Sequence, residues 1–412
     1  MKIALVSYEF PPETADGGIA TYMVEVVQML QSRGHYVEVF AGSRSGDYDE
    51  LSGSVKIFKR VSKDHWGFSA AIYPIFKERH STIGFDVVEA PECMGDAIDI
   101  MNNIPDIPIV IKLHTSHSYV LYLEDRASIY HYYRFLKDRL YHKLKRRQAP
   151  ANLFEQVERE YTQNGDEIVA ISRSIGEIYT KRWKLDPSKI CTIPNIYTPT
   201  KQLLDIPLKT STNRITYIGR LEYRKGIYDL AKAIPIVLEK RPEAQFRLVG
   251  RDQPMGFSSQ TFKQYIQQRA GTNADRIEFT GKVDLATIPT LLSETDICVF
   301  PSVWENFPYV CLEAMAAGRG VIGSRAGGMN DMLDEGRSGV VIPPKNPAET
   351  AAAIISLLDN PEKRIDLGNK ARQRVLSEYN AMRIGEMHEA SYQRAIERRK
   401  SSGPRTFKVS TM

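Results

Sequence analysis

The sequence predicts an α/β protein made of two doubly wound, parallel-sheet domains. Three observations predict it. At 412 residues the chain exceeds the usual size of one domain. Short apolar, β-branched runs alternate with helical patterns along its whole length, the mark of strands buried on both faces and joined by helices. A polar stretch with Pro and Thr, Tyr197–Asn213, interrupts that series, and a new first strand follows it.

In the first half the strands are expected at Ile3–Ser7, Val37–Ala41, Val55–Phe58, Val87–Glu89, Ile109–Leu113 and Ile168–Ile171. In the second half they are expected at Ile215–Ile218, Phe246–Val249, Ile277–Phe279, Ile297–Phe300, Val321–Ile322 and Val340–Ile342. Two such series in succession imply two domains, 1–205 and 206–380. Beyond Pro361 the chain is helical and charged, and a helix near 380–400 has no strand partner left in its own domain, so it is expected to cross back to the first. The polar residues 401–412 are expected to form a disordered tail.

Composition narrows the class. With 42% hydrophobic and 25% charged residues the chain is an ordinary globular protein. A net charge of +5 is small for this length and argues against a nucleic-acid partner. Cys93, Cys191, Cys298 and Cys311 form no CxxC pair, and the last two sit in apolar runs, as reduced core cysteines do. The opening MKIALVSYEFPPE has too short an apolar run for a signal peptide, and no stretch approaches the length of a membrane span. A cytoplasmic protein is expected.

The chemistry is concentrated at strand ends. The second domain opens with a strand followed by GRLEYRKG (Gly219–Gly226), a glycine turn at the place where α/β folds bind anions. Arg220 and Lys225 put a planar fork and a point charge there, which suits a diphosphate; taken alone, the same turn reads equally well as solvated. Gly250 and Val283, in Gly250–Asp252 and Gly281–Val283, are expected near the base of a bound nucleotide. Downstream, PSVWENFPYVCLEAMAAGRG places Glu305 just before a helix that starts near Pro308, with Glu313 roughly two turns inside it. Backbone amides around Asn306, Phe307, Tyr309 and Val310 would be free at that helix start. Carboxylates accept from vicinal diols, so the pair suits a ligand with two sugar rings. Either glutamate alone would read as a cap or an exposed helix carboxylate. A further glycine-rich turn, GSRAGGMND (Gly323–Asp331), could present amides to an anion. In the first domain Gly17-Gly18 open a helix after the first strand, and His114 ends the strand Ile109–Leu113.

In order and spacing these elements resemble the retaining glycosyltransferases of family 4, which have the GT-B fold of two Rossmann-like domains facing across a cleft. The resemblance runs from Met1 to about Arg394 and is most specific at GRLEYRKG and at ENFPYVCLEA with Gly327-Gly328. It implies that Arg220 and Lys225 hold the donor diphosphate and that Glu313 binds the ribose. It implies further that Glu305 and the amides after it hold the transferred sugar, that His114 contacts that sugar from the other domain, and that Gly17 and Gly18 line the cleft. Two departures stand out. Pro308 replaces a frequent glycine and removes an amide, and Asp331 stands where glutamate is usual.

The activity so implied is transfer of a hexose from a nucleotide sugar, UDP-glucose before UDP-N-acetylglucosamine or GDP-mannose, to a glycan or lipid-linked acceptor in exopolysaccharide or surface glycan synthesis. Attack from the leaving-group face fits, since neither glutamate is left over as a nucleophile. No cofactor and no metal are expected, because cations and helix termini can neutralise the leaving group. A nucleotide-sugar epimerase, a phosphorylase of the same fold or a non-catalytic sugar-binding protein are the rival readings. Gly318–Gly323 matches G-x-G-x-x-G but follows a helix, so it reads as a helix end rather than a dinucleotide fingerprint. Asp47-Tyr-Asp49 reads as a solvated loop rather than a metal motif, and His114-x-x-His117 lacks a third ligand. Residues 134–148 carry seven Lys or Arg against one Asp, with tyrosines before them, so a peripheral membrane contact through 119–148 competes with a solvated helix.

Overall fold

The computed structural model describes residues 1–14, 17–62, 64–123, 153–255, 260–406 and 408–410. The basic stretch 134–148 lies outside the described residues. The chain forms two compact units, Met1–Ile196 with Ala381–Met412, and Tyr197–Asn380.

The first unit holds an eight-stranded sheet: β1 (Lys2–Ser7), β2 (Tyr36–Ser43), β3 (Tyr48–Ser52), β4 (Val55–Val61), β5 (Val87–Pro91), β6 (Ile109–Leu113), β7 (Glu167–Ala170) and β8 (Ile190–Thr192). Their order is β3-β4-β2-β1-β5-β6-β7-β8, parallel except for the β3–β4 hairpin. β3 occupies the place of the expected solvated loop. Its residues are almost all exposed, so no alternation marks it as a strand, and Asp49 is taken up by Arg60 at 2.7 Å. The helix Gly18–Ser32 packs Tyr22, Met23, Val26, Met29 and Leu30 on the sheet, the spacing of one helical face.

The helix Ala381–Ser402 also belongs to this unit. Tyr392 donates to the buried carboxylate of Glu89 on β5 at 2.8 Å, and Arg33 pairs with Glu389 at 2.7 Å. Against the expected disordered tail, the described residues 401–406 and 408–410 are tied to the first unit. Arg405 donates to Asp166 at 2.5 Å and to the Ile107 carbonyl at 2.8 Å, and Val409 is buried with its amide on Asn102. The Ile107 carbonyl, just before β6, is an acceptor that a polar sequence does not advertise.

The second unit holds a six-stranded, fully parallel sheet: β9 (Arg214–Ile218), β10 (Gln245–Val249), β11 (Ile277–Gly281), β12 (Ile297–Phe300), β13 (Gly320–Ser324) and β14 (Val340–Ile342). The order is β11-β10-β9-β12-β13-β14. The helix Ile227–Lys240 turns Ile227, Leu230, Ala231, Ile234, Val237 and Leu238 inward. The unit begins at Tyr197, earlier than the boundary at 206. The Tyr197 amide donates to Tyr379 O at 2.9 Å and Leu203 of the short helix Lys201–Leu204 is buried; beyond them Arg319 donates to Pro207 O and Thr210, and Arg372 to Ile206 O. Burial pushes the Arg319 guanidinium down to about 10. Gly318 ends the preceding helix with a left-handed φ of +67°, its amide on Met315 O, so the G-x-G-x-x-G stretch is a helix end in fact.

Candidate active site

In an open parallel sheet, ligands bind outside the carboxyl ends of the strands, where the strand order reverses. In the second unit that point lies between β9 and β12. The two loops leaving it are Gly219–Gly226 and Pro301–Pro308, which carry the cations and glutamates singled out above.

Glycines let these loops meet. Gly226 has φ +73°, and a Cβ there would lie 1.9 Å from the Pro301 carbonyl oxygen. Gly250, at the end of β10, would clash at 2.0 Å with Gly219 O, and its amide donates to Gly281 O at 2.9 Å. Gly327 has φ +95° and would place a Cβ 1.9 Å from Glu305 O. The Glu305 amide donates to Ala326 O, and the Gly328 amide donates to Glu305 O at 2.9 Å. The turn Gly323–Asp331 therefore spends its Gly328 amide on the Glu305 backbone rather than on an anion. Asp331 lies in the short helix Met329–Met332, where Arg374 holds its carbonyl at 3.0 Å.

The Glu305 side chain is ion-paired with Lys225, and Arg224 Nη1 lies 3.7 Å from it. Burial pushes this carboxyl up, but Lys225, then Arg224 and Arg220, outweigh burial and hold it below the usual carboxylate range. Arg220 is the most exposed of these side chains and rests on Glu222 at 3.3 Å. Arg220, Lys225 and Glu305 thus share one patch.

The helix that follows spans Tyr309–Ala316, with Pro308 as its N-cap residue rather than its first residue. Pro308 still accepts from the Cys311 amide at 3.0 Å, so only its own N–H is missing. The amides of Tyr309 and Val310 lack intrahelical acceptors by position. Phe307 is buried edge-on to Tyr379 at 5.4 Å, and Asn306 is buried as well. Glu313 is the fifth residue of the helix, a little over one turn in rather than two. Its Oε2 is buried without a hydrogen-bond partner, and burial pushes its carboxyl up to about 7. Val283 follows β11, half-buried beside the Gly250–Gly281 contact.

Gly17, Gly18 and His114 belong to the first unit. Gly17 is the extended N-cap of Gly18–Ser32; both glycines are exposed, and a Cβ at Gly17 would come 3.3 Å from Glu9 Oε2. His114 follows β6, buried, with its amide on Glu92 at 2.8 Å and its ring 5.0 Å from Tyr22. Burial first, then Lys112, pushes it down to about 3, so it is a neutral imidazole at physiological pH. His117 lies instead against Phe154 and Trp66. Sequence reasoning passed over Glu222 and Arg224; the signal was there, since both sit inside GRLEYRKG.

The description "Glycosyltransferase Family 4" matches residues 16–200 and "Glycosyl transferases group 1" matches residues 201–374, which together take in most of the chain. An uncharacterized glycosyltransferase of Methanocaldococcus jannaschii is 25% identical over 92% of this chain and 95% of that protein. Sucrose-phosphate synthase of Thermosynechococcus elongatus superposes with a TM-score of 0.70 at 22% identity, covering 95% of this chain and 99% of that one. HepE of Anabaena, in complex with UDP-glucose, superposes with a TM-score of 0.65 at 16% identity, covering 95% and 99%. No helix among the described residues is long and apolar enough to cross a membrane. With both halves matched in order, and with Arg220, Lys225 and Glu305 gathered at the switch point of a GT-B-type sheet, the chain belongs to glycosyltransferase family 4 and is a GT-B-fold glycosyltransferase.

Proposed function

We propose that the protein transfers a hexose from a nucleoside diphosphate sugar, UDP-glucose first, to a hydroxyl of a glycan or lipid-linked acceptor, with retention at the anomeric carbon and without a metal. The observation that carries the reading is the chemistry offered on the two loops and the helix that leave one switch point. Lys225 and Arg220 offer cations to a diphosphate, and Glu313 keeps a buried oxygen with no donor, as a ribose hydroxyl would supply. UDP-glucose leads because HepE, of the same fold, was solved with it. A role in exopolysaccharide or surface glycan synthesis goes with that choice of donor and acceptor.

In this reading Lys225 turns from Glu305 to the departing phosphate and stabilises its growing charge. Glu305 accepts from the sugar hydroxyls. The acceptor oxygen bonds to the anomeric carbon on the face from which the phosphate departs, which gives retention, and its proton passes to that phosphate. On the first unit, Gly17 and Gly18 leave room for a ligand, and His114, kept neutral, can donate to or accept from a sugar hydroxyl. The first unit takes the acceptor and the second the donor.

The test is calorimetry with UDP-glucose, UDP-N-acetylglucosamine and GDP-mannose, followed by transfer to an acceptor panel with the product anomer read by NMR. Binding of one donor and a product of unchanged anomeric configuration are expected. An inverted or epimerised product would refute the mechanism, and tight binding without turnover would favour a sugar-binding protein. Lys225→Ala and Glu305→Ala should each cut turnover about 10²- to 10³-fold with the fold intact; near-normal transfer by either would contradict their roles.

A further inference from the structure

Five charged side chains at the second unit's switch point alternate in sign: Arg220, Glu222, Arg224, Glu305 and Lys225. Glu222 lies 3.3 Å from Arg220 and 3.0 Å from Arg224, and Glu305 is paired with Lys225 with Arg224 at 3.7 Å. Each carboxylate is thus shared by two cations, and Arg224 is the cation common to both. It is also fixed differently from its neighbours. Its carbonyl accepts from the Val303 amide at 2.8 Å, which ties its backbone to the loop that carries Glu305. Its side chain is 20% exposed, against 58% for Arg220.

A bound diphosphate draws both outer cations, and each glutamate then loses one partner. Glu305 would be left as a largely buried carboxylate, costly without a counter-charge. Arg224 is placed to prevent this, since a guanidinium presents several donors in a fixed plane and can serve two carboxylates at once.

We propose that Arg224 is a positioning residue that holds Glu305 in place when the donor diphosphate takes Lys225 and Arg220. It acts through Glu305 and does not touch the phosphates. The inference rests on the donor-site reading above.

The test compares wild type, Arg224→Met, Arg224→Lys and Lys225→Ala in two measurements: calorimetric affinity for UDP, GDP and ADP, and steady-state transfer. Arg224→Met should bind the preferred nucleoside diphosphate within about twofold of wild type, while kcat falls about 10- to 100-fold, the cost of a misplaced reacting group. Arg224→Lys should recover part of the loss, and Lys225→Ala should lose nucleotide affinity. An unchanged kcat in Arg224→Met, in active protein, would overturn the proposal. So would a loss of nucleotide affinity like that of Lys225→Ala, which would make Arg224 a phosphate ligand. If Arg224→Met does not fold, Arg224→Lys carries the test by the same split. Wild type that binds none of the three nucleotides would instead sink the donor-site reading itself.

Discussion

Replacing Gly327 by Ala tests how Glu305 is held. The new Cβ would sit 1.9 Å from Glu305 O and 2.8 Å from its carbonyl carbon, and both are backbone atoms that no rotamer change can remove. The φ of +95° adds strain of about 1–3 kcal/mol for a residue with a Cβ. Relief requires the two loops to part, which breaks the Glu305–Ala326 and Gly328–Glu305 backbone bonds at about 0.5–1.5 kcal/mol each. The total is roughly 2–6 kcal/mol, or a Tm lower by about 10 °C for a unit of this size. If the loops part without unfolding, Glu305 moves with them, and a shift of about 1 Å costs about 10²-fold in turnover. Gly84→Ala is the control. Gly84 is a left-handed helix end, φ +67°, with nothing within 4 Å of its Cβ position, so only strain of about 1 kcal/mol applies. Thermal melts and initial transfer rates of the two variants decide the matter. Gly327→Ala with wild-type rate and melting behaviour would show that the contact does not position Glu305.

Two further outcomes are expected. Glu313 titrates near 7 in the folded chain because burial disfavours its charge, while the unfolded chain ionises at an ordinary carboxyl value. Between those values the folded state keeps a proton the unfolded state has lost, so stability falls as pH rises toward 7 and is level above it. Glu313→Gln should therefore raise the Tm at pH 8, by a free energy on the order of 3 kcal/mol, leave it nearly unchanged at pH 4, and weaken nucleotide binding; equal melts at pH 8 would contradict the burial argument. Arg405→Ala leaves Asp166 with Arg399 and empties the Ile107 carbonyl. The buried pair should cost about 3 kcal/mol and open the C-terminus to carboxypeptidase, and unchanged protection would refute the tail's anchoring.

Much of the site was legible because its chemistry is local in sequence. Arg220, Lys225, Glu305 and Glu313 lie in two short motifs, each following an apolar strand. The network that joins the motifs was not legible. Arg224 looks like any surface cation beside Lys225 until the fold brings it within 3.7 Å of a glutamate distant in sequence. The glycine turn at 327 read as an anion cradle because sequence shows that a Cβ is missing but not what takes its place, here the Glu305 carbonyl. β3 and the tail failed for the same reason: exposed edge strands and polar latches have no apolar period to read.

By itself the sequence determined the class of the protein. Continuous apolar strands must be buried on both faces, and a chain that repeats the pattern on each side of a polar break must build two parallel sheets. It also determined the residue types offered at the strand ends. Only the tertiary structure decided their pairing and charge state: Glu305 held ionised by Lys225 and Arg224, and Glu313 and His114 held toward neutrality by burial. Desolvation and counter-charge are properties of three-dimensional neighbourhoods, and chain order does not specify them.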